Sequence, residues 1–308
     1  MPDVAATVPQ KRGDVVFRTL AVGAGVAIVA TLGAVGLFLF LESLPALNPA
    51  AEISNAPDGF IAYVTPLVFG TLLAATMALL FATPLAIGIG LCISHYAPRR
   101  IASGLGYVVD LLAAIPSVVY GLWGIQVLAP TVQPLYQWLN EKLGWLPFFT
   151  GPVSGTGRTI LTVSFVLAIM ILPIMSALAR EIFLQTPRLQ EEAALALGAT
   201  RWEMIRMAVI PFAKSGLLSS AMLGLGRALG ETMAVAMVLS PAAVISFALI
   251  TPTNPSTIAS TIALDFPEAS GLDVNALVAA GLVLFVITMI VNVLARGVIT
   301  RNAKKGAY

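Results

Sequence analysis

The chain has 308 residues, of which 58% are hydrophobic and only 10% charged, with a formal net charge of +2 and a mean hydropathy of +0.93. Soluble chains run at about 45 to 50% apolar and about 25% charged, so this composition excludes a water-soluble enzyme. A single cysteine, Cys92, and a single histidine, His95, exclude a disulfide scaffold and a Cys-based or His-rich metal site, and argue against a hydrolytic triad.

Stretches without an ionisable residue, set against the ~20 apolar residues that cross a bilayer as helix, predict an all-α integral membrane protein with six transmembrane helices. The spans fall at about 17–41, 64–93, 105–129, 158–180, 209–239 and 274–297. The first exceeds the ~7 to 15 apolar residues of a signal peptide and is expected to remain as an anchor. Between the second and third spans lie Arg99 and Arg100, with His95 expected as a surface histidine beside Tyr96 and Pro98. Pro84, Pro116 and Pro173 fall inside spans and are expected to kink them. Asp110 stands about one and a half turns into the third span, where an interfacial acid paired with Arg99, Arg100 or a partner chain is expected. Residues 140–157, rich in Trp, Pro, Gly and Thr, predict an interfacial loop. Pro241, Pro252, Pro255 and Pro267 stop the fifth span near Ser240.

With the N-terminus inside, every Lys and Arg falls in an inner loop or tail except Lys142, Arg158 and Arg227. That is the positive-inside pattern, and it predicts that both termini are cytoplasmic. Extramembrane segments of about 30 residues are too short to bury a core of their own, so soluble machinery must come from partner chains.

Charge in the membrane is costly, roughly 2.5 to 3.5 kcal/mol at a helix centre, so Arg227 and Glu231 need a reason. Four residues apart, they are expected on one helix face within reach of an ion pair. One reading is mutual neutralisation that fixes packing. The other is a polar pathway in which the fork of Arg227 meets an oxyanion. Gly226 and Gly230 predict a ridge for close helix approach.

Residues 181–211 form the most informative inner loop. Thr186 followed by Pro187 predicts an N-cap and first helical position. Gly198 predicts the helix end, and Thr200-Arg201-Trp202-Glu203 has the capping-box pattern of a second helix. The expectation is helix, glycine turn, helix across the membrane surface. Its small, partly alanine apolar face suits a protein groove better than lipid.

Glu192-Ala193-Ala194, Gly198 four positions later and Pro211 closing the segment resemble the EAA loop of permease subunits in binding-protein-dependent ABC importers. Ala208 and Ile210 stand where the usual pattern has an Ile and a Leu. The segments Ala113-Ala114-Ile115-Pro116-Ser117-Val118-Val119-Tyr120-Gly121-Leu122-Trp123-Gly124 and Leu223-Gly224-Leu225-Gly226-Arg227-Ala228-Leu229-Gly230-Glu231-Thr232-Met233-Ala234-Val235 resemble phosphate importer permeases. Thr200 to Glu203 and the placing of the spans resemble the PstC kind of subunit more than its PstA partner.

This resemblance implies a type I ABC importer permease bundle in the plasma (inner) membrane, moving inorganic phosphate into the cytoplasm. It implies a five-helix permease core over 62–298, with the coupling loop at 181–208. Residues 1–61 would hold the N-terminal tail, first span and first outer loop, and 299–308 a cytoplasmic tail. Glu192, Ala193, Ala194 and Gly198 would couple to an ATPase, and Arg227 and Glu231 would serve translocation. The implied partners are a second permease subunit resembling PstA, two ATP-binding subunits, an extracytoplasmic phosphate-binding protein and membrane lipid, with no cofactor and no nucleic acid. No lysine follows a glycine, so no Gly-x-x-x-x-Gly-Lys-Ser/Thr phosphate cradle exists; ATP is expected to be hydrolysed by another chain. The rival readings are a permease for another oxyanion such as sulfate or molybdate, an ion-driven secondary transporter using Asp110 and Glu231, and a purely structural membrane subunit.

Overall fold

The computed structural model describes residues 12–48, 53 and 59–305; the N-terminal tail and most of the first outer loop, with Glu52 and Asp58, lie outside the described residues. Helices long and apolar enough to cross a membrane run over Gly13–Ser43, Phe60–Tyr96, Ile160–Leu184, Arg201–Leu229 and Leu272–Gly297. A sixth crossing is available only as a pair, Arg100–Ala113 and Ser117–Leu143, bent by 90°.

The first helix, α1 (Arg12–Ser43), is apolar on every side and almost wholly exposed in the single chain, a surface suited to lipid. It touches α12 (Leu272–Lys305) where Gly36 meets Phe285 and where the Asn275 side-chain amide donates to the Glu42 carbonyl at 2.7 Å.

The core forms where α2 (Phe60–Leu91) packs on α6 (Ile160–Leu184). Gly70, Ala74, Ala78, Ala82, Ala86 and Gly90 repeat every four residues and are all buried. One seam of small side chains therefore runs down α2 and lets α6 approach. A Cβ on Gly90 would stand 2.9 Å from that of Ala179. From α6, Leu167, Met170, Ile171 and Met175 fill the opposite wall. At the other end of the seam the carbonyls of Pro255 and Ser256 lie against Gly70, leaving no room for a side chain. These carbonyls belong to a loop whose two short strands, β1 (Pro241–Ala242) and β2 (Asn254–Pro255), pair in parallel.

The expected third span, 105–129, is not one helix. α3 (Arg99–Ala113) ends before Pro116, and α4 (Ser117–Trp123) restarts the chain at 90°. Proline lacks an N–H and pushes the preceding residue out of helical backbone, so Ile115-Pro116 breaks the helix instead of kinking it. Tyr120 ties the corner by donating to the Leu112 carbonyl at 3.0 Å. Pro84 and Pro173, by contrast, sit inside continuous helices. After α4, a π-turn over Gly124–Leu128 leads into α5 (Ala129–Leu143). The expected loop at 140–157 follows, with Asn140 donating to the carbonyls of Phe149 and Gly151.

In the loop between the fourth and fifth expected spans, α7 (Arg188–Ala196) and α8 (Arg201–Met204) form the expected pair around Gly198. The fifth span differs from expectation at both ends. α8 runs through a π-turn, Ile205–Val209, directly into α9 (Ile210–Leu229), because the wider turn relieves the clash that Pro211 brings to an α-helix. At the other end α9 stops at Leu229, and the chain resumes as α10 (Met233–Val238). A helix α11 (Ile258–Asp265) precedes the last span.

Candidate functional site

The two segments that resemble phosphate permeases fold onto each other, because α10 lies in glycine notches of α4 and of the π-turn that follows it. A Cβ on Gly121 would stand 3.0 Å from the Ala234 Cα, and one on Gly124 would stand 3.0 Å from the Val238 side chain. Side chains at either glycine would push α10 away. Gly224 performs the same service on α9, against Met175 and Ile171 of α6. Among the described residues nothing packs into the expected ridge at Gly226 and Gly230: nothing lies within 4 Å of a Cβ on Gly226, which borders a cavity instead.

Arg227 and Glu231 do not share a helix face. Gly230 caps α9, so the chain turns before Glu231 reaches the position one turn beyond Arg227. Glu231 is 9% exposed, and its Oε1 accepts a hydrogen bond from the Ala234 amide at 3.1 Å. It caps α10 in place of Thr232, whose hydroxyl donates back to the Gly230 carbonyl. Among the described residues no ion pair joins Glu231 to Arg227. Glycine at 230 and β-branched Thr232 were the sequence signals for this break.

Arg227 lies within electrostatic reach of Tyr120, and its Nε is buried without an acceptor from the chain. Leaving a buried donor unpaired costs about 1–3 kcal/mol, so Arg227 carries an unmet demand for an acceptor. It lines a cavity of about 650 Å³ between α6, α9 and α12.

Arg158 was visible in the sequence only as one of two bases on the outer side. In the fold its Nε donates to the Val238 carbonyl at 3.4 Å, and its Nη2 to those of Met237 and Leu239 at 3.3 and 3.0 Å. It thereby closes the C-terminus of α10. Next to it, fully buried Asn254 accepts from the Ile160 amide at 2.9 Å and donates to the carbonyls of Arg158 and Thr251. The loop that carries β2 is thus welded to the start of α6. A positive charge directly before the N-cap Thr159 was the available signal.

α7 and its C-terminal end present apolar residues outward: Leu189 is 80% and Leu197 90% exposed. Glu192, Ala193 and Gly198 are exposed as well, whereas Ala194 packs against the cluster around Phe183, Ile205 and Val209. Gly198 has φ +88°, and the bonds from the Gly198 amide to the Leu195 carbonyl and from the Ala199 amide to the Ala194 carbonyl complete a Schellman end. The capping box forms in full, Thr200 and Glu203 bonding each other's backbone amides. Thr186 does not cap α7. Pro187 occupies that position, and the Thr186 hydroxyl is buried without a partner.

His95 is not a free surface histidine. Its Nδ1 lies 2.7 Å from the Ser94 hydroxyl and its Nε2 3.5 Å from a carboxylate oxygen of Glu191, so it touches the inner loop through the acid beside Glu192. Asp110 lines the adjacent cleft with Arg180 and Arg188, on the half of the bent pair that precedes the 90° corner. A pairing with Arg99 lies outside the described residues.

Residues 82–304 match the family described as binding-protein-dependent transport system inner membrane component. The chain is 44% identical over 307 residues to the phosphate transport system permease protein PstC 2 of Mycobacterium tuberculosis, covering 94% of this chain and 93% of that protein. It is 42% identical over 309 residues to the phosphate transport system permease protein PstC of Mycobacterium leprae, covering 96% of each. Among solved structures, an inward-facing form of the MetNI methionine ABC transporter superposes with a TM-score of 0.57 at 13% identity, over 79% of this chain and 97% of that one. At that identity the likeness concerns the fold alone.

Proposed function

The chain belongs to the family of binding-protein-dependent transport system inner membrane components, and on that premise we propose that it is the permease subunit of an ATP-driven importer of inorganic phosphate. Relatives at 42 to 44% identity that carry the name phosphate transport system permease protein over nearly their whole length support this substrate. An ABC importer permease works in a complex with further permease, ATPase and binding-protein subunits. The finer composition is a second permease subunit resembling PstA, two ATP-binding subunits and an extracytoplasmic phosphate-binding protein.

The observation that carries the reading is Arg227. A guanidinium inside a membrane-crossing bundle, its Nε buried without an acceptor and facing a cavity, offsets the cost of desolvating a phosphate in transit. Glu231 is committed to the first turn of α10. It therefore acts by positioning α10 and by limiting the net positive charge near the path, so that the anion is not trapped.

Glu192, Ala193, Ala194 and Gly198 form the contact with the ATPase. The exposed face of Leu189 and Leu197 supports this reading, since such a face beside a charged rim suits a protein groove. With both termini cytoplasmic, as the distribution of Lys and Arg supports, ATP-driven movement of α7 passes to the spans through α8 and α9, which are one continuous helix from Arg201 to Leu229.

Phosphate uptake by vesicles carrying the complete importer tests the site. Arg227→Gln removes a charged hydrogen bond worth roughly 1.5–3 kcal/mol and is expected to cut uptake by about ten- to a hundredfold. Unchanged uptake by this variant overturns the assignment.

A further inference from the structure

Little holds α7 to the bundle. None of its residues is fully buried, and among the described residues its one polar side-chain contact with another element is Glu191 to His95. It is joined to α6 by the short segment 185–187 and to α8 by the glycine turn. A helix of 9 residues is marginal in water by itself, so what α7 touches decides how it is held.

His95 belongs to a π-turn, Cys92–Tyr96, that continues α2 beyond Leu91. Its ring stands edge-on to fully buried Phe183 of α6, with centroids 6.3 Å apart and planes at 82°. The imidazole is therefore wedged where α2, α6 and α7 meet. Its side chain is 9% exposed and that of Glu191 23%, so water screens this pair less than one on an open surface.

Ser94 lets the ring take either charge without moving. Its Oγ lies 2.7 Å from His95 Nδ1 and 3.4 Å from the Leu91 carbonyl. Beside a neutral ring the hydroxyl donates to Nδ1, which leaves Nε2–H toward Glu191. Beside a protonated ring it accepts from Nδ1–H and donates to Leu91. Only the protonated ring adds the attraction of opposite unit charges to the contact with Glu191. The other ionisable groups on this cleft are Tyr107 and Asp110 of α3, Arg180 of α6, whose charge Glu181 answers at 2.6 Å, and Arg188 of α7.

We propose that His95 is a positioning residue for transport, a strap through which α7 pulls on the end of α2 and hence on its seam with α6, and that protonation of the ring tightens the strap. Movement of α7 then reaches the spans by two routes, this contact and the continuous helix from Arg201 to Leu229. The strap rests on the reading of α7 as the ATPase contact and extends it to α2 and α6.

The test uses the complete importer in proteoliposomes, buffered at one pH on both sides of the membrane. Hydrogen exchange over residues 190–197, relative to an unfolded peptide at the same pH, reads how firmly α7 is held. Phosphate imported per ATP hydrolysed reads coupling. Imidazole changes charge between about pH 5 and 8, so protection of α7 is expected to be about threefold greater at the acid end, the size of one partly shielded ion pair. His95→Gln and Glu191→Gln are each expected to abolish that dependence and to lower the import ratio about threefold at the acid end. The double variant is expected to do no more than either alone. His95→Lys stays charged and is expected to keep the acid-end protection throughout, which separates charge from the shape of the ring. Protection that still depends on pH in either glutamine variant overturns the strap. An import ratio unaltered in both overturns its part in coupling. Leu189→Glu is carried alongside, with co-purification of the ATPase as its readout. Full retention there defeats the reading of α7 as the ATPase contact, while exchange in α7 still judges the strap.

Discussion

Glu231 and Arg158 hold opposite ends of α10. The Glu231 carboxylate accepts from the Ala234 amide at 3.1 Å, and the Arg158 guanidinium donates to the carbonyls of Met237, Val238 and Leu239. An acid at the N-terminus and a base at the C-terminus are the arrangement the helix dipole favours, and both sets of otherwise unpaired backbone groups are served. A helix of six residues is too short to be stable alone, so these two side chains and the notches of Gly121 and Gly124 decide where it sits.

Arg158→Ala is expected to fray α10 without dissociating the bundle. Charged hydrogen bonds contribute roughly 1.5–3 kcal/mol each, and losing this cluster is expected to raise amide exchange over residues 234–239 by tenfold or more. Arg158→Lys recovers only part, because an ammonium lacks the flat fork that spans neighbouring carbonyls. Hydrogen exchange on the assembled complex measures both; unaltered protection in Arg158→Ala means the clamp is unimportant.

Glu231→Gln separates cap from charge. Glutamine keeps an acceptor for the Ala234 amide, so thermal stability is expected to stay near that of the parent, while Glu231→Ala loses a cap worth about 1 kcal/mol. Phosphate uptake by the glutamine variant then reports the contribution of the negative charge alone. Equal stability of the alanine and parent proteins would show that the bond to Ala234 does not hold α10.

Gly198→Ala tests the turn between α7 and α8. A Cβ there meets nothing within 4 Å, so the penalty is confined to the left-handed backbone, about 1–2 kcal/mol. Relief of that strain re-aims α7, and the expected outcome is a folded permease whose ATPase partner is retained less well on purification. Gly157→Ala is a contrasting control: with φ +69° its side chain collides with the Ala129 carbonyl, and loss of the folded protein itself is expected.

Asp265, at the end of α11, gives the fold a pH dependence. It lines a cavity of about 260 Å³ with Tyr63, Glu268 and Asp273, and burial, followed by the charge of Glu268, holds its carboxyl above the usual aspartate range. A carboxyl raised in the folded state binds its proton more tightly there than when unfolded. Stability therefore falls as pH rises through the window from the ordinary aspartate value to the raised one, and is regained on acidification. Asp265→Asn is expected to melt higher than the parent near pH 7, with the gap closing as pH is lowered toward the ordinary aspartate range. A gap independent of pH would exclude ionisation as its cause.

The glycine turn and capping box of the inner loop were legible because they are local: Gly198, Thr200 and Glu203 act on backbone groups within a few residues. The crossings were legible because bilayer thickness imposes a length that uninterrupted apolar stretches disclose. Pro116 shows the limit, since a proline announces a disturbance but the angle depends on packing; the tie from Tyr120 to Leu112 settles it here. The small-residue seam from Gly70 to Gly90 was present in the letters, yet its meaning required α6 as its partner.

By itself the amino-acid sequence determined the membrane class, the uneven distribution of Lys and Arg, and the glycine turn and capping box at Gly198 to Glu203, since composition, span length and short-range hydrogen bonds need no knowledge of distant neighbours. Only the tertiary structure decided what the few charges do. It set Asp110 on a cleft with Arg180 and Arg188, separated Glu231 from Arg227, gave Arg158 the end of α10 and brought Arg296 to the cavity of Arg227. The physical reason is that a charge in a membrane protein is answered by whatever dipole or ion the fold brings near it, and residues 69 to 81 apart in the chain are neighbours only after folding.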